Sequence, residues 1–138
     1  MSTPNLPDQE KLKLQLSRLE QSLTSLHNLI SKKDDPILNA AKERFIQICI
    51  EEVINIANNI IISKGMRCAE TYREIFIVLE ENQIINSSLG KELQKFASFR
   101  NRLVHLYWNI SPKEFNEQLK KINQLQEFAR VITKKYVH

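Results

Sequence analysis

"FASFRNRLVHLYWNI", Phe96–Ile110, sets cationic and titratable groups inside an apolar run. Drawn on a wheel at about 100° per residue, Leu89, Leu93, Phe96, Ala97, Leu103, Val104 and Tyr107 fall on one broad face. The stretch therefore reads as the end of a helix running from about Ser88 to Trp108. Arg100 falls in the middle of the apolar face; Asn101 and His105, four apart, share a side just beside it, and Arg102 and Leu106 point away. A guanidinium cannot shed its charge, so burying it requires a partner or access to water. Two structural solutions are open: a salt bridge to Glu43, Glu51 or Glu52, or a packed stem whose head reaches solvent.

Working outward, the rest of the chain also reads as helical. Leu12, Leu16, Leu19, Leu23, Leu26 and Ile30 recur at spacings of three and four, the seam of a long amphipathic helix from about Pro7 to Lys32. Residues 1–6 read as a loose start. Asp35 can cap a second helix with Pro36 at its first position, running to about Ser63 and ended by Gly65. Its apolar residues, Phe45 to Ile61, cover more than one face, which suits a central helix or an oligomer interface. Thr71-Tyr72-Arg73-Glu74 has the form of a capping box and opens a third helix to about Glu81. Ser111-Pro112-Lys113-Glu114 is a second such box and starts a fifth helix carrying Phe115, Leu119, Ile122, Leu125, Phe128, Ala129 and Ile132. The expected fold is one all-α domain over residues 1–138, an up-down bundle of about five helices.

Composition agrees. Two glycines and four prolines in 138 residues suit helices with short connections and argue against a sandwich or barrel. Twenty basic against 16 acidic residues give a net charge of +4, which permits a polyanionic partner without demanding one. Cys49 and Cys68 have no CxxC spacing, and neither a disulfide framework nor a metal site is suggested. The N-terminal residues show no signal-peptide pattern, and Asn55, Asn58 and Asn59 interrupt the most apolar run, so no membrane span is expected. A reducing cytoplasm is the expected setting.

Imidazole titrates near neutrality and arginine holds an anion without losing its charge, a combination suited to RNA cleavage. His105 would move a proton at the 2′-hydroxyl or the leaving 5′-oxygen, and Arg100 would stabilise charge on the phosphorane. The RNA supplies its own nucleophile, so neither a metal nor another cofactor is needed. Five residues apart, the two side chains diverge by about 140° on an ideal helix. Two copies across a twofold axis would bring an Arg and a His to a shared cleft, which makes a homodimer the expected state. The plainer alternatives are a structural histidine at 105, a core or interface tyrosine at 107, and a Trp108 that packs rather than stacks on bases. Lys134 and Lys135 suit the negative end of the last helix and offer a secondary grip on phosphates.

"RNRLVHLY", Arg100–Tyr107, with "FASFRN" before it and "WNISP" after it, resembles the R-x4-H-x-Y motif of HepT-like toxins, a branch of the HEPN superfamily. The layout from about Leu12 to Phe128 is similar too: a long apolar helix, "SKG", a Tyr-Arg-Glu helix start, then the motif helix. The resemblance implies a toxin of a toxin–antitoxin system, a metal-independent endoribonuclease that dimerises and cuts RNA, with tRNA the expected target. It implies Arg100 and His105 as the catalytic pair and Asn101 as their supporting polar residue. It also implies that Tyr107 is AMPylated by an MntA-type nucleotidyltransferase antitoxin, using ATP and magnesium on the antitoxin side. On the wheel Tyr107 lies seven residues above Arg100, where an added phosphate would fill the cleft with negative charge. The alternative function is a non-catalytic HEPN-type module that binds RNA or nucleotide, or a dimeric scaffold.

Overall fold

A computed structural model describes residues 8–137, and of Tyr107 its backbone only. The expected loose start at 1–6 lies outside the described residues. The described chain is all α-helical: α1 Gln9–Ile30, α2 Pro36–Ser63, α3 Tyr72–Glu81, α4 Ser87–His105, α5 Pro112–Leu119 and α6 Asn123–Tyr136, with a 3-10 turn at Tyr107–Asn109.

α2 is the hub, packing against α1, α3, α4 and α6. Asp35 caps it by accepting from the amides of Ile37 and Leu38 at 2.8 and 3.1 Å, and Pro36 takes the first turn at no hydrogen-bond cost. Its far end closes in a Schellman turn. Gly65, at φ 66°, donates to Ile62 and Met66 donates to Ile61 at 2.9 Å. Between the caps, Ile46, Cys49, Ile50, Val53, Ile56, Ala57 and Ile60 are buried against the neighbouring helices. Contrary to the sequence expectation, α2 is long and apolar enough to cross a membrane by length and composition. Half of its most apolar window is buried within the bundle, so a core position accounts for the hydropathy.

Side-chain bonds give the directions. Asn59 donates to Gln15 at 3.1 Å, which sets the C-terminal half of α2 beside the start of α1, antiparallel. Arg73 donates to Gln94 at 3.2 Å, and a Cβ at Gly90 would come within 3.2 Å of Glu80, so α3 and α4 are also antiparallel and close. Gln9 donates to the carbonyl of Tyr136, joining the two ends of the described chain. The core runs through the whole bundle, with Phe76 and Phe128 meeting edge to face at 6.3 Å.

Two elements differ from expectation. α4 stops at His105 rather than Trp108: Leu106 leaves the helical region at φ −136°, ψ 38°, and the chain tightens into the 3-10 turn. The stop is tertiary. Arg102 forks onto Glu114 of α5 and also donates to the Asn109 carbonyl at 2.8 Å, folding the chain back. The expected fifth helix is broken at residues 120–122, giving α5 and α6, and α6 starts without a side-chain cap. Both capping boxes are half formed. Thr71 and Ser111 accept from the amides of Glu74 and Glu114 at 3.1 Å, but Glu114 turns to Arg102, and Glu74 to Arg67 and the Glu70 amide.

Candidate functional site on α4

The buried side of α4 is Leu89, Gly90, Leu93, Phe96, Ala97 and Phe99. One turn on, the same face meets Arg100, and the bundle accommodates it at its edge. The guanidinium Nε and Nη2 both reach Oε2 of Glu51 on α2, at 2.9 and 2.8 Å. Gln47, one turn earlier on α2, donates to the same oxygen at 3.1 Å. The Tyr72 ring, first residue of α3, lies 5.1 Å from the guanidinium carbon, and Nη1 donates to Asn101 at 3.3 Å. Arg100 is thus held by three helices.

Of the three carboxylates offered by the sequence, Glu51 is the partner of Arg100. Glu52 instead sits where burial raises its carboxyl above the usual glutamate range, an effect opposed by Arg18. The Arg100–Glu51 pair is not an interior one: the side chains remain 17% and 32% exposed. Water therefore has access to it.

Asn101 and His105 are exposed on the neighbouring face, in the last turns of α4. The wheel holds here: Arg100 turns toward α2 and α3, while His105 turns to solvent, so a single chain does not join the two. Of Asn101 and His105, it is Asn101 that accepts a hydrogen bond from Arg100. Tyr107 is the main departure. Because α4 ends at His105, its backbone belongs to the 3-10 turn, and the expected helical position seven residues on, almost directly above Arg100, does not apply. The placement of its side chain lies outside what the structure describes.

The apolar end of the motif also differs. Val104 is not a core residue: it is 38% exposed, beside Leu106 at 43%, and Trp108, expected to pack, is 70% exposed. The bundle leaves these apolar side chains at its surface, on either side of His105 in sequence. Arg102, which points away as expected, is a structural cation committed to Glu114. Sequence reasoning missed Gln47 and Tyr72. Tyr72 had a local signal only as the start of α3, and Gln47 none.

No three His, Cys, Asp or Glu side chains come together as metal ligands among the described residues. Cys49 is buried, and desolvation pushes its thiol up to about 12, which makes it an inert packing residue; Cys68 is exposed, and neither is in a disulfide.

Comparisons with known proteins give this geometry its context. The family profile described as "Ribonuclease HepT-like" matches residues 13–132. A protein of Aphanizomenon flos-aquae named tRNA nuclease HepT is 33% identical over 90 residues, 65% of this chain and 59% of that protein. One of Shewanella oneidensis, named mRNA nuclease HepT, is 32% identical over 79 residues, 57% of this chain and 55% of that one. The chain thus matches less than two thirds of the length of either relative. Among solved structures, a tri-AMPylated Shewanella oneidensis HEPN toxin in complex with MNT antitoxin superposes with a TM-score of 0.83 at 21% identity, covering 89% of this chain and 96% of that one. That likeness concerns the fold. With the profile spanning nearly the whole described bundle and the α4 motif inside it, the chain belongs to the HepT-like family.

Proposed function

We propose that this protein is the toxin of a toxin–antitoxin pair, a metal-independent endoribonuclease acting as a homodimer. The observation that carries the reading is the arrangement at the end of α4. A permanent cation is held half-buried but reachable at the bundle edge, and an exposed imidazole follows on the same helix, in a chain of the HepT-like family. Arg100 and His105 diverge within a protomer, so a twofold partner supplies the second group at each phosphodiester. The exposed Val104, Leu106 and Trp108 offer apolar area beside the motif for such pairing.

In the cleft, the 2′-hydroxyl of the RNA attacks its adjacent phosphorus. The 2′-proton leaves to a base, the 5′-oxygen departs with a proton, and the products are a 2′,3′-cyclic phosphate and a 5′-hydroxyl end. His105 serves one of the two proton transfers, a role worth about 10²–10⁴-fold in rate. Arg100 offsets the charge that builds on the equatorial oxygens of the phosphorane, and Asn101 holds the free edge of the guanidinium. tRNA is the favoured substrate, in line with the name of one relative, while the name of the other points to mRNA. Tyr107 is the site at which an MntA-type nucleotidyltransferase attaches AMP. The family resemblance of the motif and the AMPylated structural neighbour support that assignment.

The test is purified protein incubated with bulk tRNA, and separately with mRNA, in EDTA. Cleavage by the wild type, lost in Arg100→Ala and His105→Ala and kept in Lys33→Ala on the exposed α1–α2 turn, is expected. One observation favours a second reading: Arg100 is already committed to Glu51, through an Nε–H hydrogen bond and an Nη2 ion pair, as in a structural ion pair. On that reading the protein is a non-catalytic RNA- or nucleotide-binding module or scaffold, and the same experiment shows RNA retention, or a dimer alone, without cleavage.

A further inference from the structure

The geometry points to Glu51 as a positioning residue that aims Arg100 at the scissile phosphate. The inference rests on the ribonuclease reading for its activity arm and on the structure alone for its side-chain arm.

A guanidinium has three edges and two faces. At Arg100 one edge, Nε with Nη2, is closed by Oε2 of Glu51 at 2.9 and 2.8 Å. The Tyr72 ring makes a cation–π contact, its centre 5.1 Å from the guanidinium carbon. Nη1 is left on the side of Asn101, through a longer bond of 3.3 Å. Glu51 is itself braced, since Gln47 donates to the same oxygen from one turn away on α2. The anchor therefore stands on the most deeply packed helix of the bundle, and the cation it holds stands at the end of α4, where the helix is about to stop.

This arrangement does what a free arginine cannot. A long side chain at a helix end visits many rotamers, and ordering it costs entropy each time a substrate binds. The α2 carboxylate fixes the plane of the guanidinium beforehand and leaves one N–H-bearing edge toward the α4 surface that carries Asn101 and His105. Charge alone attracts a phosphate even when misaimed, whereas stabilising the phosphorane needs the donors in place. Loss of Glu51 therefore lowers kcat while KM changes little.

The experiment compares Glu51→Ala and Glu51→Gln with wild type, with the fold of each checked by circular dichroism. Expected for Glu51→Ala is a fall in kcat of about tenfold to a hundredfold with KM within about twofold, and a smaller fall for Glu51→Gln, which keeps an acceptor oxygen. Glu51→Gln carries the comparison if the alanine variant does not fold. In an Arg100→Ala background the Glu51 change costs nothing further, because Glu51 acts only through Arg100. The second arm follows the Arg100 Nε–Hε signal in a 15N-labelled protein, assigned by its absence in Arg100→Lys. Slow exchange in the wild type and loss of protection in the Glu51 variants are expected. Unchanged or faster cleavage, an additive loss in the double variant, or an unaltered Nε–Hε signal each overturns the assignment. If the wild type cuts no RNA, the ribonuclease reading fails, and the side-chain signal still decides whether Glu51 holds Arg100.

Discussion

Replacing Arg100 by alanine separates a catalytic arginine from a structural one, because the two roles predict different pairings of stability and activity. The substitution removes the hydrogen-bonded ion pair with Glu51 and the cation–π contact with Tyr72. Breaking a fully buried pair costs about 3–5 kcal/mol, since it strands a charge, and an exposed pair is worth about 0.2–1 kcal/mol. With its side chain 32% exposed and Gln47 still donating to it, Glu51 is rehydrated rather than stranded. The pair then contributes about 1 kcal/mol, and the cation–ring contact adds about 0.5–1 kcal/mol. A total near 2 kcal/mol, taken from even the low end of domain stability, about 5 kcal/mol, leaves about 99% of the chain folded. Cleavage, by contrast, should fall by about 10²–10³ with the loss of the transition-state cation. Urea unfolding gives the first quantity and a fluorogenic RNA substrate the second, on the same preparation. A destabilisation of about 4 kcal/mol or more, or cleavage within a few-fold of wild type, refutes the assignment of Arg100 to the chemistry.

Three further outcomes are expected. Tyr107→Phe, co-expressed with a cognate MntA-type transferase, escapes neutralisation and gains no AMP-sized mass increment on intact-mass measurement; continued neutralisation with modification elsewhere contradicts the assignment. Glu114 is held below the usual glutamate value of 4.5 by its hydrogen bond from Arg102, as are Glu74 and Glu81 by Arg67 and Glu127 by Arg130. A depressed carboxylate gives its full stability above its unfolded value and loses it as pH falls through the folded one. Melting temperature therefore drops below about pH 4.5, and Arg102→Met flattens that drop by removing the share of Glu114; an unchanged slope counts against it. Gln83, at φ 60°, closes α3 in a Schellman turn, with Ile84 donating to Leu79 at 2.9 Å. Glycine takes that conformation freely, so Gln83→Gly raises stability by about 1 kcal/mol and Tm by about 3 °C, while a lower Tm contradicts the reading.

What could be read from the sequence was what local chemistry encodes. The limits of α2 follow from Asp35, Pro36 and Gly65, each acting on backbone groups within a turn of itself. The anomaly of Arg100 and its divergence from His105 follow from helical periodicity alone. The end of α4 did not, because nothing local stops it: Val104 and Tyr107 continue the apolar period, and the stop is made by Arg102 reaching Glu114 twelve residues on. The break at residues 120–122 has no Gly or Pro to announce it, and Leu119 and Ile122 stay buried on either side. The choice of Glu51 over Glu43 and Glu52 depends on how α2 is rotated against α4, which neither helix specifies by itself.

Arg100 of one subunit and His105 of its partner are expected to act on one phosphodiester. Mixing inactive Arg100→Ala and His105→Ala proteins, with gentle unfolding and refolding to re-pair the subunits, tests it directly. A heterodimer regains one cleft with both groups, so random re-pairing should restore about a quarter of wild-type cleavage. A re-paired mixture as inactive as its two components contradicts a cleft shared between subunits.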